Sequence, residues 1–558
     1  MKRIQQAWIG GVMVLLMILV TACGSNSGSN TAATSGAGGG NTSASAEGSG
    51  GSASGGADQP LYIGMVNPVT TFDVFNLDNA GIFVNSFMSD TLVAMNSNYG
   101  FDPKLAEAIE TTDNQNFTIK LNPNAKWSDG EPFTAADVEF TLRMFTDMNV
   151  KTLLNMTFVA GLNDAGKRDE GQTELPFFQK VDDHTFVIKT KAPMETDLFK
   201  SQFGTYFRFL PEHVLKDVAP ADLNKNEFMM NPTVTNGAYK FVKFAKDQYV
   251  QLAANDDYYG GTPNIKEIFI KMMPATNLAA QLQTGDIQLT SPGVGLIPVQ
   301  DFDKVSNMAT VTTGYGDANN PNTMFINTQT FPDPKVRQAI AYAMNRQLIV
   351  DQLLKGQGDL VDGMLGLNHP YYNKDTELYS YDPEKAKTLL EGAGWDFGKT
   401  VEFVVPTGNK IREQASDIVA ENLKAAGLKV QVTKLDFPTT YQRALKHEYD
   451  LTVLNLGFIL DPNSVLGLFK TGVSFNLSGY SNAEVDELLV QGAEELDPAK
   501  RFEIYKQVQQ ILHDEVPVIS LYADKQLYAA AKNLDLGKSL ETSTVGLTNN
   551  VADWKFTE

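Results

Sequence analysis

A low-complexity segment divides this chain into a short leader and a long folded body. Residues 24–59 consist almost entirely of Gly, Ser, Ala, Asn and Thr. Such a composition cannot bury a hydrophobic core and predicts a flexible coil. Its root-mean-square reach is about 30–36 Å. The folded body therefore begins near Pro60, and it contains no disulfide because Cys23 is the only cysteine of the chain.

The leader has the composition of an export signal. Lys2 and Arg3 precede an apolar run over residues 7–20, which is shorter than the roughly 20 residues that a membrane span needs. This pattern predicts a signal peptide over residues 1–22.

The end of the leader resembles the lipobox of bacterial lipoproteins, since the sequence Leu-Val-Thr-Ala precedes Cys23. In those proteins the cysteine thiol receives a diacylglyceryl group and becomes the new N-terminus. The resemblance implies that Cys23 holds the protein at a membrane and that residues 23–59 are a lipid-anchored flexible linker. The alternative is a free cysteine behind an ordinary signal peptide.

The charge balance argues against nucleic acid as a partner. The chain has 45 basic and 66 acidic residues, a formal net charge of −21. Nucleic-acid binding depends on neutralising phosphates with Lys and Arg, so we expect no nucleic-acid partner. The apolar fraction of 42% is sufficient for a large core.

Local patterns in the body predict an α/β protein. Alternation of apolar and polar residues, or short apolar runs, predict strands at 61–66, 117–121 and 185–189. Capping residues followed by apolar stripes predict helices. The predicted helix starts are Thr134, Asp333–Pro334, Asp382–Pro383, Ser481–Asn482 and Asp497–Pro498.

No motif in the chain predicts catalysis or a cofactor. None of the five histidines has a histidine partner four residues away, and no G-x-S-x-G elbow occurs. Residues 161–167 and 393–400 approach the phosphate-loop pattern. The first has Arg168 where a Ser or Thr is needed, and the second lies after a predicted helix and before a predicted strand, which is the reverse of the order required.

Several longer motifs resemble a known family. The most specific are WSDGEPFTAADV at 127–138, NDDYYGGTP at 255–263 and FPDPKVRQAIAYAMNR at 331–346. Together with further blocks over residues 60–535, they are similar to the extracellular solute-binding proteins of family 5. That family comprises the oligopeptide, dipeptide and nickel binders of ABC importers.

The resemblance implies a periplasmic-binding-protein-like fold of class II, cluster C: a two-lobed clamp with an extra domain and the ligand between the lobes. Domain I is expected to be discontinuous, with residues 60–90, 220–315 and 520–558. Domain II is expected over 91–219 and domain III over 316–519.

The resemblance also implies where a peptide is held. In peptide-binding members an Asp in a domain III loop pairs with the α-amine of the peptide. Asp461-Pro462 fits the D-P of that loop, which implies ligand contacts from Asp461 and from the preceding Gly457, Phe458 and Ile459. Leu456 stands where an aromatic residue is usual, so a nickel complex, a sugar or another solute stays open as the ligand. The alternative role of Asp461 is the N-cap of a helix that begins at Pro462.

Other candidate residues follow predicted strands or flank the expected crossing between the lobes. They are Asn67, Val69, Thr70, Phe72, Ser291, Gly293, Tyr315 and Asn327. A purely structural role is the alternative for each.

The expected function is that of a binding receptor, not an enzyme, without cofactors or metals. Its partners would be a peptide, the transmembrane permease subunits with their cytoplasmic ATPases, and the membrane through diacylglyceryl-Cys23. We expect a monomer at the cell membrane, on its extracellular or periplasm-facing side. An extracellular lipoprotein hydrolase and a sensor or adhesin on the same scaffold are the competing functions.

Overall fold

A computed structural model of the chain describes residues 59–154, 156–319, 321–456, 460–537 and 546–557. The predicted signal peptide, Cys23 and nearly all of the predicted linker lie outside these residues, as do Gly457, Phe458 and Ile459. Within the described ranges no helix has both the length and the apolar character that a membrane crossing requires.

Twenty-one strands are assigned in the described residues. In chain order they are β1 (Leu61–Met65), β2 (Val93–Met95), β3 (Phe101–Pro103), β4 (Ala106–Glu110), β5 (Asn116–Leu121), β6 (Phe178–Lys180), β7 (Thr185–Lys189), β8 (Tyr239–Ala245), β9 (Tyr249–Ala254), β10 (Glu267–Met272), β11 (Leu289–Thr290), β12 (Val311–Tyr315), β13 (Asn322–Ile326), β14 (Gly358–Asp359), β15 (Thr400–Pro406), β16 (Lys429–Leu435), β17 (Leu451–Leu454), β18 (Val518–Asp524), β19 (Leu527–Ala531), β20 (Leu534–Asp535) and β21 (Lys555–Phe556).

The same residues contain fifteen α-helices and a few single turns of 3-10 or π helix. In chain order the α-helices are α1 (Asn79–Met88), α2 (Ala135–Phe145), α3 (Thr196–Phe199), α4 (Glu212–Leu215), α5 (Pro220–Leu223), α6 (Ala275–Thr284), α7 (Phe302–Ser306), α8 (Pro334–Ala343), α9 (Arg346–Leu353), α10 (Pro383–Gly392), α11 (Lys410–Ala425), α12 (Phe437–Leu445), α13 (Pro462–Leu466), α14 (Ala483–Glu494) and α15 (Pro498–Glu515).

The predicted α/β class is confirmed, and the capping patterns begin helices where expected. Thr134 caps α2, and Asp137 closes a capping box by accepting a hydrogen bond from the Thr134 backbone N–H at 2.9 Å. Asp333, Asp382, Asn482 and Asp497 cap α8, α10, α14 and α15. The three predicted strands correspond to β1, β5 and β7.

Three sheets organise the body. A seven-stranded sheet has the order β12-β19-β11-β1-β10-β9-β8, so its strands come from three separate stretches of chain. A six-stranded sheet has the order β14-β18-β13-β17-β15-β16, and an antiparallel four-stranded sheet has the order β4-β5-β7-β6. Buried apolar clusters cover both faces of the two larger sheets. The exact domain bounds stay a prediction.

The four-stranded sheet belongs to the same lobe as the seven-stranded sheet. The backbone N–H of Ser128 donates to Thr235 O at 2.7 Å, and the N–H of Gly237 donates to Met88 O at 2.7 Å. A Cβ on Gly237 would lie 2.5 Å from the carbonyl carbon of Met88, so only glycine allows this close approach. We call this body the first lobe, and the body built on the six-stranded sheet the second lobe.

The chain crosses between the lobes twice, side by side. It leaves β12 of the seven-stranded sheet, crosses through residues 316–319 and enters β13 of the six-stranded sheet. It returns from β18 to β19 through Lys525 and Gln526. The two crossings are hydrogen-bonded, since Gly316 N donates to Gln526 O at 2.9 Å. We call residues 316–319 the crossing segment.

Candidate functional site: a cleft between the lobes

A cleft of about 750 Å³ lies where the crossing segment joins the lobes. This volume falls inside the roughly 300–1,000 Å³ typical of small-ligand sites. Most of the lining side chains are polar or aromatic. They are Ser97, Asn98 and Tyr99 of the first lobe, Asp317 of the crossing segment, and Asn368, His369, Pro370, Tyr372, Asn373, Lys374, Asp375 and Phe502 of the second lobe.

Tyr99 is presented to the cleft by a tight β-hairpin. Strands β2 and β3 pair antiparallel, and the Asn96 side chain closes the turn by accepting hydrogen bonds from the N–H groups of Asn98 and Gly100. Tyr99 itself has a φ of 59°, a left-handed conformation that is rare for a bulky residue. Such strain persists where the surroundings enforce it, and it is enriched at functional sites.

Tyr99 reaches across to the crossing segment. Its hydroxyl donates to Asn319 Oδ1 at 3.0 Å. Burial, and then the charge of Asp317, raise the pKa of Tyr99 to about 12, so the phenol stays a hydrogen-bond donor at neutral pH. The Asn319 side chain is 8% exposed, and within the described residues its Nδ2 has no hydrogen-bond acceptor. A buried amide left in this state is costly unless something else binds it.

Asp317 is the half-buried acid of the crossing segment. Its Oδ1 accepts a hydrogen bond from Asn368 Nδ2 at 2.9 Å. Within the described residues this carboxylate has an amide donor and forms no ion pair. Asp375, by contrast, pairs with Lys506 at 2.5 Å. Asp317 therefore brings a negative charge to a cleft that Lys374 also lines.

A loop of the second lobe packs directly on the crossing segment. A Cβ on Gly366 would lie 2.6 Å from the Ala318 carbonyl oxygen, so the glycine permits the contact. The same loop continues into a turn in which His369 Nδ1 accepts a hydrogen bond from Tyr371 N at 3.1 Å. His369 is 3% exposed. The positions of the crossing segment and of this wall of the cleft are thus coupled.

Asp461 serves the protein's own structure. It caps α13 by accepting from Asn463 N at 3.1 Å, and its Oδ2 accepts from Ser464 Oγ at 3.0 Å. Its Oδ1 also accepts from Arg501 Nη2 at 2.7 Å. The N-cap role that the sequence offered as an alternative is therefore confirmed, and a cation already neutralises this carboxylate. Contact with a ligand amine stays a prediction.

Arg501 is locked in place beside the cleft-lining Phe502. Its Nε donates to Gly492 O at 2.9 Å, and its guanidinium lies over the rings of Tyr371 and Tyr505. Burial alone would lower the pKa of Arg501, but the charge of Asp461 raises it above its usual value. This cation stays charged at any ordinary pH.

The loop after β1 contributes two core residues and two polar ones. Val69 and Phe72 are 3% and 2% exposed and belong to the core of the seven-stranded sheet. Their side chains pack in this core, and a ligand contact from either residue stays a prediction. Asn67 is half-buried, and the exposed Thr70 donates to Asp78 Oδ2 at 2.6 Å.

The expected residues near the hinge have different environments. Ser291 is buried, and its hydroxyl donates to Pro292 O at 3.1 Å. Gly293, with a φ of 83°, donates its N–H to Gln526 Oε1 at 2.6 Å and so ties its loop to the return crossing. Tyr315 is 36% exposed at the last position of β12, immediately before the crossing segment.

Asn327 lies at the far end of β13 and does not line the cleft. Its Nδ2 donates to the carbonyls of His447 and Tyr449, and its Oδ1 accepts from Gln329 N. Both ends of the amide thus join loops of the second lobe, and a ligand contact from Asn327 stays a prediction.

The described residues contain no group of three or more His, Cys, Asp or Glu side chains that could hold a metal ion. The two near-phosphate-loops serve other roles. The Lys167 ammonium donates to the carbonyls of Phe145 and Val150. Residues 393–400 connect α10 to β15, in the order that the sequence predicted.

The comparisons with known proteins agree with a binding fold. The family described as "Bacterial extracellular solute-binding proteins, family 5 Middle" matches residues 100–476. The oligopeptide-binding protein AppA of Bacillus subtilis is 27% identical over 557 residues, covering 94% of this chain and 94% of that protein.

Two solved structures are similar over almost their whole length. The Bacillus subtilis AppA structure in complex with a nonapeptide is 25% identical, has a TM-score of 0.69 and is matched over 90% of this chain and 99% of that one. The substrate-binding protein CtaP of Listeria monocytogenes is 22% identical, has a TM-score of 0.78 and is matched over 90% and 100%. The expected two-lobed clamp fold is confirmed.

Proposed function

Because this chain belongs to the bacterial extracellular solute-binding proteins of family 5, we propose that it captures short peptides outside the cytoplasm and delivers them to an ABC-type importer. The observation that carries the proposal is the 750 Å³ cleft between two lobes that are joined by adjacent crossings. A hinge of this kind allows the lobes to open for entry and close over a guest.

The chemistry of the cleft suits a peptide backbone. Amide, phenol and imidazole groups surround it. A peptide presents carbonyl acceptors and N–H donors in alternation along its length. Tyr99 of the first lobe lines the cleft and also contacts the crossing segment, so a guest in the cleft would touch a residue that holds this segment.

Of the residues that the sequence predicted, Asn67, Thr70 and Tyr315 keep exposed or half-buried polar groups, and we propose them as peripheral contacts. Ser291 and Gly293 shape the hinge through Gln526. Asp461 and Arg501 fix the start of α13, and the loop residues Gly457, Phe458 and Ile459 precede this start in the sequence. The loop residues themselves are proposed contacts.

The anchoring proposal rests on the sequence of the leader. Cys23 carries a diacylglyceryl group, which supplies two acyl chains and so a stable membrane attachment. The linker over residues 24–59 then lets the monomeric body reach the permease subunits on the same membrane.

The decisive experiment is recovery of the natural guest. The full chain is purified from membranes in mild detergent and examined by native mass spectrometry for bound peptides. Peptides recovered from the intact protein, and rebinding of synthetic copies by calorimetry, support the proposal. Recovery of a nickel complex or a sugar would show that the protein binds another solute. Cleavage of the added peptides would show that it is a hydrolase.

A further inference from the structure

We propose that Asn549, near the C-terminus and not among the residues that line the cleft, is a positioning residue for Tyr99. Asn549 holds the hairpin of β2 and β3, and the position of this hairpin sets where the Tyr99 side chain stands in the cleft. The inference rests on the proposed function and adds to it a residue that controls peptide affinity from outside the cleft.

The hairpin that carries Tyr99 depends on support from other parts of the chain. Strands β2 and β3 have three residues each and pair only with one another, in a two-stranded sheet of their own. A hairpin of this size is marginally stable by itself in water. Val93 is buried at the start of β2, but residues 94–100 are half-buried or exposed. The position of the tip is therefore set by the residues that contact it.

Asn549 is hydrogen-bonded to both arms of the hairpin. Its Nδ2 donates to the carbonyl oxygen of Met95, the last residue of β2, at 2.8 Å. Its own carbonyl oxygen accepts from Nζ of Lys104, the first residue after β3, at 2.5 Å. The two arms are thus held by one residue that lies 454 positions from Met95 in the sequence.

The segment that carries Asn549 is itself fixed in the first lobe. Leu547 and Val551, two residues to either side of Asn549, are each 4% exposed and belong to the core of the seven-stranded sheet, as does the fully buried Trp554. The N–H of Asn549 donates to Gly546 O at 3.0 Å, which closes a turn between these anchors. Asn549 therefore holds the hairpin from a rigid base.

Lys104 extends this support further into the first lobe. Its ammonium lies 3.8 Å from Asp90 Oδ1. Oδ2 of Asp90 accepts hydrogen bonds from the hydroxyl groups of Tyr258 and Tyr259, each at 2.6 Å. The cation that donates to the Asn549 carbonyl is thus oriented by a buried carboxylate, and no residue of this support belongs to the lining of the cleft.

The position of the hairpin matters because of what its tip does. The Tyr99 hydroxyl reaches Asn319 Oδ1 at 3.0 Å, and Tyr99 has the unfavourable φ of 59°. A conformation of this kind persists only where the surrounding structure enforces it. When the Asn549 amide no longer holds Met95, we expect the tip to sample other positions. A peptide would then bear the cost of ordering Tyr99 on binding, and affinity falls.

The first test is peptide affinity of the full chain. The probe is an equimolar library of random pentapeptides with free termini, and native mass spectrometry gives the library concentration at half-saturation. Asn549→Ala removes the Nδ2 donor and leaves the backbone carbonyl that Lys104 uses. We expect a half-saturation concentration that is higher by about 2–10-fold, the effect of one hydrogen bond. Asn264→Ala is the matched control, because its Nδ2 donates to Ala552 O of the same segment at 3.1 Å, and we expect it to bind as the wild type does.

A double variant distinguishes positioning of Tyr99 from a general loss of structure. Tyr99→Ala removes the side chain that Asn549 positions, so adding Asn549→Ala to it should change the half-saturation concentration little further. Two residues that act through one contact give such a non-additive result, whereas independent effects would add.

Hydrogen exchange gives a readout that needs no ligand. Measured by mass spectrometry, the amides of residues 93–103 should exchange about 2–10-fold faster in Asn549→Ala, because one hydrogen bond fewer opposes local opening. Exchange in β8, β9 and β10 should match that of the wild type, which shows that the lobe stays folded.

Three outcomes overturn the inference and leave the proposed function standing. They are wild-type affinity in Asn549→Ala, an undiminished effect of Asn549→Ala in the Tyr99→Ala background, and unchanged exchange of residues 93–103. If the wild-type chain retains no member of the library, the proposed function fails and the inference fails with it.

Discussion

Arg501 Nη2 donates to Asp461 Oδ1 at 2.7 Å, and the two side chains are 3% and 9% exposed. The sequence predicts that Asp461 contacts the ligand, but in this structure without a ligand Arg501 already neutralises its charge. Breaking such a buried pair by removing one partner leaves the other charge uncompensated, which costs about 3–5 kcal/mol.

We therefore predict that Asp461→Ala lowers the free energy of unfolding by about 3–5 kcal/mol, from the stranded Arg501 charge, with about 1 kcal/mol more from the lost cap of α13. Denaturant unfolding monitored by circular dichroism measures it. The control is Asp256→Ala, whose partner Lys266 is exposed, so its loss should change the stability little.

The double variant Asp461→Leu with Arg501→Leu distinguishes the cost of an unpaired buried charge from the cost of losing the N-cap of α13. It should be more stable than Asp461→Leu alone, because no unpaired charge stays buried. If the double variant is less stable than Asp461→Leu alone, the unpaired charge of Arg501 is not the cause of the destabilisation.

The contrast between Asp461 and Thr134 shows what the sequence could predict. The Thr134 capping box depends on Asp137, three residues away, and a short-range rule is sufficient to find it. The partner of Asp461 lies 40 residues away on α15, and no local pattern points to Arg501.

The cleft was beyond sequence reasoning for the same reason. Tyr99 and Asn319 are 220 residues apart, and only the fold brings them together. A weak local signal did exist, because Asn96 to Gly100 reads Asn-Ser-Asn-Tyr-Gly, a composition typical of a turn. That signal predicts the hairpin but not the lobe that it faces. The resemblance to the family predicted the two-lobed fold, whereas the side-chain contacts within the cleft could be found only from the three-dimensional structure.

Arg346 and Asp362 form a second buried pair, with 2.5 Å between Nη2 and Oδ1. Burial would raise the pKa of Asp362, but the charge of Arg346 and hydrogen bonds from His513 and the Tyr379 N–H outweigh burial and lower it. Because the folded-state pKa is below the unfolded value of about 3.9, this stabilisation is complete above that pH and is lost as the pH falls through the lowered pKa.

We predict that Arg346→Met destabilises the protein by about 3–5 kcal/mol at pH 7 and by less at pH 5. Without Arg346, burial raises the pKa of Asp362, so acidification neutralises the stranded carboxylate. Denaturant midpoints at pH 7, 6 and 5 measure the change. A destabilisation that is constant over this range would contradict the prediction, and Arg443→Met, from a more exposed pair, is the control.

Gly366 supports the crossing segment by having no side chain. A Cβ there would lie 2.6 Å from Ala318 O, so Gly366→Ala must displace the segment that carries Asp317 and Asn319. We predict a loss of stability of about 1–3 kcal/mol and clearly weaker peptide binding by calorimetry. Gly363→Ala is the matched control, because its new Cβ meets no atom within 4 Å. Equal behaviour of the two variants would show that the contact at Gly366 is unimportant.

Cys23 is predicted to be the only attachment of the chain to the membrane. Cys23→Ser removes the thiol that would be acylated, so the protein should move from the membrane fraction to the soluble fraction and lose incorporation of radiolabelled palmitate. Peptide binding should be unchanged, since the linker separates Cys23 from the body. Continued membrane association of the serine variant would require another anchor, and Ser25→Ala, two residues away, controls for changes in the leader.

Tyr99 ties the first lobe to the crossing segment through its hydroxyl group, so Tyr99→Phe tests this contact with the loss of one atom. The variant leaves Asn319 Oδ1 without the hydrogen bond that it accepts at 3.0 Å. A hydrogen bond of this kind contributes about 0.5–1.5 kcal/mol, which corresponds to a rise of about 2–10-fold in the peptide dissociation constant. Because the bond holds the first lobe against the crossing segment, we expect its loss to loosen the hinge and to favour open forms. Small-angle scattering should then report a larger radius of gyration without peptide. Tyr441→Phe removes a hydroxyl within the second lobe and should change neither quantity. If Tyr99→Phe leaves both the affinity and the radius of gyration unchanged, the hydroxyl bridge contributes nothing to closure.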